Sequence, residues 1–300
     1  LAVEAGLDPV VAIQMATVNC AQCFRLDHEL GSIAPGKCAD MVLLEDLQSF
    51  HVLRTWINGE TVAQDGRYIP DMPPYAYPAE ALHSVRIGYE ILEDAFRVNA
   101  PVAGKTIRAR AIEIKPLQAG TVERIVSLPV ADGFVQADPD ADVAKAAVFE
   151  RHRATGTVGL GFVKGFGVRA GAMASTVAHD AHNLLVVGVN DADMAVAAQA
   201  LADCGGGMAV ARDGRVIGRV ALPVAGLISP QSVWETAEQL DHLAACWQEI
   251  GCEVESPFMT MALLSLACLP ELRLTNRGLV DCRSFEFVSP FPDFDKQIES

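Results

Sequence analysis

Apolar and polar positions alternate along the chain in several distinct rhythms. Asp8-Pro9 followed by Val10, Val11, Ile13 and Met15 predicts a helix. The Asp8 carboxylate can cap free N–H groups, and proline sits at the first position, where its missing donor costs nothing. Asn19 opens a second short helix carrying Cys23 and Phe24, and Gly31 to Lys37 (GSIAPGK) is turn chemistry throughout. Met41–Leu44 is a continuous apolar run that predicts a buried strand, and Val52–Ile57 predicts another. Asn58-Gly59 signals a hairpin, because both residues accept positive φ, and Asp65-Gly66 turns the chain again. Residues 40–69 thus read as a small antiparallel sheet. The stretch 69–78, IPDMPPYAYP, holds four prolines. Proline removes a donor and fixes φ, so this stretch is an extended connector at a domain boundary. The expected divisions are 1–70, a connector at 71–80, and 81–300.

Beyond the connector, Thr106–Ile114 and Val122–Val130 predict strands, and an Ala-rich helix is expected from about Asp142 to Arg151. Val158 to Val168 carries Gly159, Gly161, Gly165 and Gly167 at even spacing, which in a strand puts glycines on one face for close approach by another backbone. Leu184–Val189 predicts a strand, and Asp191 is expected to cap a helix that stops at Gly205-Gly206-Gly207. Met208–Ala211, the turn Asp213-Gly214 and Arg215–Leu222 form a hairpin pattern. Helices are expected at Pro230–Ile250 and, buried, at Phe258–Leu269. The mixture of βα and ββ steps predicts an α+β fold.

Composition narrows the class. The 300 residues carry 23 Lys+Arg against 38 Asp+Glu, so the formal charge is 23 − 38 = −15. That balance argues against phosphate-backbone binding, hence no nucleic-acid partner. Half the residues are apolar and a fifth charged, which rules out general disorder. The most apolar stretch, Met259 to Leu269, is about half of the ~20 residues a membrane span needs, so no membrane helix is expected. Eight scattered cysteines, several within apolar patterns, read as free thiols in a reducing compartment, which predicts a cytoplasmic protein. The chain starts at Leu1, inside a helix pattern and without a signal-like segment, which suggests a fragment of something longer.

Candidate chemistry concentrates at His179-Asp180-Ala181-His182-Asn183, just before a buried strand. Two imidazoles three apart meet on one face of a turn but diverge in a strand. A loop at a strand end can aim both at one point, with Asp180 fixing a tautomer or binding metal. The alternative is a polar turn whose Asp and Asn bond their own backbone. Glu150-Arg151-His152 is expected at a helix end as a solvated basic terminus. Cys20 and Cys23 form C-x-x-C with no second pair at zinc-ribbon distance. Asp191 and Asp193 lack the Gly and distal Glu of a calcium loop. His28, His51, His83 and His242 stand alone.

Longer motifs add a resemblance. Ala16-Thr17-Val18-Asn19, Gly31-Ser32-Ile33-Ala34-Pro35-Gly36-Lys37-Cys38-Ala39-Asp40-Met41-Val42 and Asn58-Gly59-Glu60-Thr61-Val62 resemble the closing segment of the amidohydrolase superfamily, with Cys20 where proline commonly follows the Asn. Gly161-Phe162-Val163-Lys164-Gly165-Phe166-Gly167, then Ser175 to Asn183, Pro257-Phe258-Met259-Thr260 and Pro270 to Leu279, resemble the C-terminal domain of the bacterial adenine deaminase family. The resemblance implies the end of an amidohydrolase barrel with β-sandwich strands, followed by a mixed α/β C-terminal domain. It implies a hydrolase of purine salvage that converts adenine to hypoxanthine and ammonia. The water would be activated by a binuclear manganese or iron centre. The family's metal ligands correspond to positions before Leu1, so no metal ligand is assigned here. His179, Asp180 and His182 become candidate catalytic residues, and Asn183 and Lys164 candidate substrate-binding residues. The implied partners are adenine, an N-terminal barrel half and further copies in a homo-oligomer. The alternatives are a non-catalytic module for oligomerisation or for covering an active site, and half of another cyclic amidine or amide hydrolase. Without a barrel, the helix faces of the first ~25 residues would be exposed or swapped onto another chain.

Overall fold

The structure is a computed structural model that describes residues 1–73, 75–115 and 118–297. Two compact units emerge, Leu1–Tyr75 and Ala76–Ser300, dividing within the proline-rich stretch. Pro74 of the expected connector and the final three residues of the expected last domain lie outside the described residues.

In the first unit the Asp8 carboxylate accepts the N–H groups of Val10 and Val11 and starts α1 (Pro9–Ala16), with Pro9 in its first turn. α2 follows (Val18–Cys23). Four antiparallel strands come next, β1 (Met41–Leu44), β2 (Val52–Ile57), β3 (Glu60–Gln64) and β4 (Arg67–Tyr68), side by side in that order. Asn58 and Gly59 both take positive φ between β2 and β3, as the hairpin signal requires. The expected burial of β1 is not found: Val42 and Leu43 are 56% and 48% exposed. Among the unit's described residues, Ala21 alone is buried. Ile13, Ala16, Phe24, Ile33 and Val42 line an apolar cleft of about 840 Å³.

The second unit opens with α3 (Ala79–Leu82). Its main sheet contains β5 (Val98–Asn99), β6 (Thr106–Ile114), β7 (Thr121–Ala131), β8 (Phe134–Val135), β9 (Val143–Phe149), β10 (Val158–Lys164), β11 (Ala172–Ser175) and β12 (Leu184–Gly188). After α4 (Asp191–Cys204) come β13 (Gly207–Arg212) and β14 (Arg215–Ala221). The ten strands run β14-β13-β11-β12-β9-β10-β6-β7-β8-β5. All neighbours are antiparallel except β10 and β6. The remaining elements are α5 (Val233–Glu249), α6 (Pro257–Leu264), a small sheet of β15 (Leu272–Thr275), β16 (Gly278–Asp281) and β17 (Glu286–Val288), and two short 3-10 helices, Glu93–Phe96 and Pro292–Gln297.

Each face of the main sheet has its own core. On one side Phe149, Leu184 and Val186 pack with Met194, Ala197 and Leu201 of α4 and with Phe96. On the other, Val148, Leu185 and Val187 belong to a cluster with Leu243 of α5, Phe258 and Met261 of α6, and Leu274 and Leu279 of the small sheet. This double coverage explains the main error of the sequence reading. Residues 143–149, inside the expected helix 142–151, are a strand whose seven positions are all buried. A central strand covered on both faces has no polar alternation, and its alanines carry helix propensity that tertiary packing overrides. Lys145, within it, is 2% exposed and gives its Nζ protons to Asp191 at 2.7 and 2.8 Å and to the Phe96 carbonyl at 3.3 Å.

Other differences are smaller. Asn190, not Asp191, caps α4 by accepting the Asp193 N–H at 3.1 Å, and Asp191 serves Lys145 instead. α6 stops at Leu264 rather than Leu269. Gly159 and Gly161 lie within β10 facing the small sheet, and a Cβ on Gly159 would stand 1.9 Å from the Thr275 carbonyl oxygen. Gly165 and Gly167 fall beyond the end of β10, in positive φ, so only half of the even glycine spacing belongs to the strand. Gly205 ends α4 in the left-handed conformation. No helix among the described residues is long and apolar enough to cross a membrane.

Candidate functional site

The register of three strands builds the site. Phe149 at the end of β9 pairs with Leu184 at the start of β12 and with Val158 at the start of β10. Two hairpin connections therefore lie side by side at one end of the sheet: residues 150–157 between β9 and β10, and residues 176–183 between β11 and β12. The second contains the histidine motif.

Hydrogen bonds anchor that loop from several sides. The His179 N–H donates to the Ala262 carbonyl at 2.9 Å, and the Ser265 hydroxyl donates to the His179 carbonyl at 3.0 Å, tying the loop to α6 and its end. The His182 N–H donates to the Ala178 carbonyl at 2.6 Å. Thr176 accepts the Gly207 N–H at 2.7 Å and donates to the Gly226 carbonyl at 2.6 Å. The loop's base is thereby bonded to the start of β13.

The two imidazoles do come together. Their centroids are 5.3 Å apart at 75° in an edge-to-face arrangement. The ring Nδ1 of His182 accepts the Ala178 N–H at 3.3 Å. An accepting Nδ1 carries a lone pair, so the neutral ring holds its proton on Nε2 and offers it as a donor. Burial pushes the His182 pKa down, and the neighbouring His179 and Arg151 push the same way; Asp180 works against them, and His152 adds to the lowering. Asp180 and Ala181 are exposed, and His179 and His182 are partly buried. The loop thus presents a carboxylate acceptor and an imidazole donor within a few residues.

Of the two expected substrate-binding residues, Asn183 is held within the frame of the loop and Lys164 lies away from it. Asn183 is 6% exposed and committed to the frame, its Oδ1 accepting the Arg151 N–H at 3.4 Å and its Nδ2 donating to Asn276 at 3.3 Å. Asn276 passes the connection on to the Thr157 hydroxyl at 2.9 Å. Lys164 ends β10 at the opposite pole of the sheet, paired with Val143, and its Nζ donates to the Ala141 carbonyl. Six positions along a strand separate it from Val158, roughly 20 Å. Proximity in sequence to the glycine motif did not reveal which end of the strand it occupied. A cleft of about 810 Å³ lined by Asp142, Phe166, Arg169, Glu253 and Met259 lies at that same opposite pole.

Two residues belong to the site that the sequence reading placed at a helix end. His152 meets the loop through Nε2 and the Ala181 carbonyl at 2.7 Å. Arg151, 1% exposed, donates from Nε to the His182 carbonyl. The available signal was the apolar run closing at Phe149: read as a strand, it puts Glu150-Arg151-His152 beside the residues preceding Leu184. Glu150 supports that turn. Burial works to raise its pKa, but the N–H groups of Thr155, His152 and Arg153 outweigh this and hold it below the usual range.

Among the described residues, no group of three or more His, Cys, Asp or Glu side chains could hold a metal ion. His152, His179, His182 and Asp180 are neighbours without forming a donor set, so the residues present do not fit a binuclear centre.

Residues 118–286 match the family model of the adenine deaminase C-terminal domain. The chain belongs to that family. Residues 1–62 match the amidohydrolase family in addition. Among curated proteins, an adenine deaminase of Clostridium botulinum (strain ATCC 19397 / Type A) is 58% identical over 290 residues, covering 97% of this chain and 48% of that protein. Adenine deaminases of Moorella thermoacetica and Roseobacter denitrificans are 51% and 43% identical, each covering 96% of this chain and 48% of theirs. The chain spans about half the length of the curated relatives it matches. The adenine deaminase C-terminal match takes in both hairpin connections, α4, α5, α6 and Asn276. The whole candidate site therefore lies within the matched domain.

Proposed function

We propose that this chain works as the C-terminal half of an adenine deaminase, hydrolysing adenine to hypoxanthine and ammonia in the purine salvage of the cytoplasm. The observation that carries this reading is the 58% identity across 97% of the chain to a protein named adenine deaminase. The chain's own donors do not fit the iron or manganese pair that the amidohydrolase resemblance implies, so in this reading the metal ligands lie in a barrel half outside these 300 residues.

In this reading His179, Asp180 and His182 are what the chain contributes to the substrate. A purine offers ring nitrogens that accept hydrogen bonds and an amino group that donates them. A neutral His182 with its proton on Nε2 matches the first, and the exposed Asp180 carboxylate matches the second. The rings and the carboxylate act by orienting adenine. Further copies of the protein in a homo-oligomer, and the barrel half, are its partners.

A direct assay tests the reading. Joined to the preceding half and supplied with Mn²⁺ or Fe²⁺, the protein should release ammonia from adenine; the 300 residues alone should not. Turnover by the 300-residue chain alone would show that the metal site had been placed wrongly, and inactivity of the joined protein on adenine would overturn the function.

A further inference from the structure

Arg151 is an unusual group to find in the interior. It is 1% exposed, yet among the described residues every acceptor of its guanidinium is a neutral oxygen. Nε donates to the His182 carbonyl, Nη1 to the Ser84 carbonyl at 3.5 Å and the Ser84 hydroxyl at 3.4 Å, and Nη2 to the Ala225 carbonyl at 3.1 Å. Its backbone N–H goes to Asn183, and its carbonyl receives the Arg86 N–H at 2.7 Å. The guanidinium lies against Gly226, where an added Cβ would stand 2.6 Å from Nη1. Burying a cation with only neutral partners costs free energy, and Glu150, the acid next to it in the chain, commits its oxygens to the backbone and Thr155. An apolar side chain could fill the volume at lower cost. It could not tie together three separate segments, at His182, Ser84 and Ala225, as a planar fork does.

We infer that Arg151 is the positioning residue of the histidine loop, its guanidinium fixing the His182 carbonyl so that the His182 ring keeps Nδ1 on the Ala178 N–H and turns Nε2 outward. This rests on the proposed role of that loop in the adenine reaction. The groups that face His182 support it. His179 and Asp180 come from its own loop and Arg151 and His152 from the β9–β10 connection, while α6 brings no charged residue. Arg151 is the permanently charged cation in that set, so it also disfavours protonation of the ring. Arg273 provides an internal control. It too is fully buried and donates to carbonyls only, those of Leu269, Leu263, Ala119 and Pro270; it reaches the histidine loop only at second hand, through Leu263 of α6, next to the Ala262 carbonyl that accepts the His179 N–H.

The test uses the active protein with its preceding half and ¹⁵N-labelled histidine, with the His182 signals followed by NMR against pH. The expected native behaviour is a proton on Nε2 and a midpoint below the ordinary histidine value. R151M should raise that midpoint by about one pH unit and mix the two tautomers. R151K, which keeps the charge and loses the fork, should leave the midpoint low while lowering kcat for adenine by on the order of tenfold. R273K should move neither. An R151M protein whose His182 titration and tautomer match the native one would overturn the inference. So would an R273K shift as large as that of R151M, since general loosening would then explain both. H182A separates this inference from the reading beneath it: if R151M shifts His182 but H182A leaves kcat and KM unchanged, the clamp stands and the loop's part in the reaction falls.

Discussion

The two units of this chain are about equally rich in apolar residues and use them in opposite ways. In Ala76–Ser300, apolar strands of the main sheet are covered on both faces, and Phe149, Leu184 and Met173 have no exposure. In Leu1–Tyr75, α1 is apolar almost all round, yet none of its residues is buried, and Val10, Val11 and Met15 stand open. A helix with no polar face belongs inside something larger. Hydrophobicity therefore marks where contact is needed, and only the second unit supplies that contact from its own residues. Under the proposed function, the preceding half supplies it to the first.

Three measurements sharpen or break that contrast. The largest effect is expected from Phe149→Ala, which removes a fully buried ring packed edge-on against Phe96 at 5.3 Å. It should cost about 3–5 kcal/mol in denaturant unfolding. Leu43→Ala in β1, where the side chain is half exposed, should stay within about 0.5 kcal/mol when the 300-residue chain is measured alone. Equal costs would erase the difference between the units. A larger cost for Leu43→Ala in the protein with its preceding half would show its surface being covered there.

Next comes Gly159→Ala. Its Cβ would collide with the Thr275 carbonyl and stand 2.9 Å from the Gly278 nitrogen, both backbone atoms of the small sheet. A cost of about 1–3 kcal/mol is expected, because overpacking forces the backbone to shift. Gly66 in the first unit has positive φ, and a Cβ added there would meet nothing within 4 Å, so Gly66→Ala meets conformational strain alone, about 1 kcal/mol. A reversed order in thermal unfolding would mean the two sheets are not in close contact.

The smallest effect concerns pH. His182 has its pKa lowered in the folded state, so folding releases protons in the interval between the folded and ordinary values. Its contribution is complete above the ordinary histidine value near 6.5 and is lost as pH falls through the lowered one. Stability should therefore decline on mild acidification, and His182→Gln should flatten that part of the curve.

Much of the fold was legible because its signals are local. Asn58-Gly59 and Asp213-Gly214 made the turns expected of them, and Thr106–Ile114 is a strand over the expected span. What failed depended on tertiary context. Residues 143–149 looked helical because burial on both faces erases the alternation that marks a strand. That one error carried Arg151 and His152 away from the histidine loop. The meeting of His179 and His182 was readable from a spacing of three before a strand. The commitment of Asn183 to Arg151 and Asn276 was not, because it depends on partners 32 and 93 residues away.

The strand order also separates local pairings from long-range ones. β6–β7, β9–β10, β11–β12 and β13–β14 are neighbours along the chain, whereas the junctions β6–β10, β9–β12 and β11–β13 join distant stretches. Pairings between distant stretches must close long loops before they gain contact, a cost that tends to slow folding. The ribbon bearing His179 and His182 has such a long-range junction on each flank, so the final shape of its loop end depends on contacts far away in the sequence.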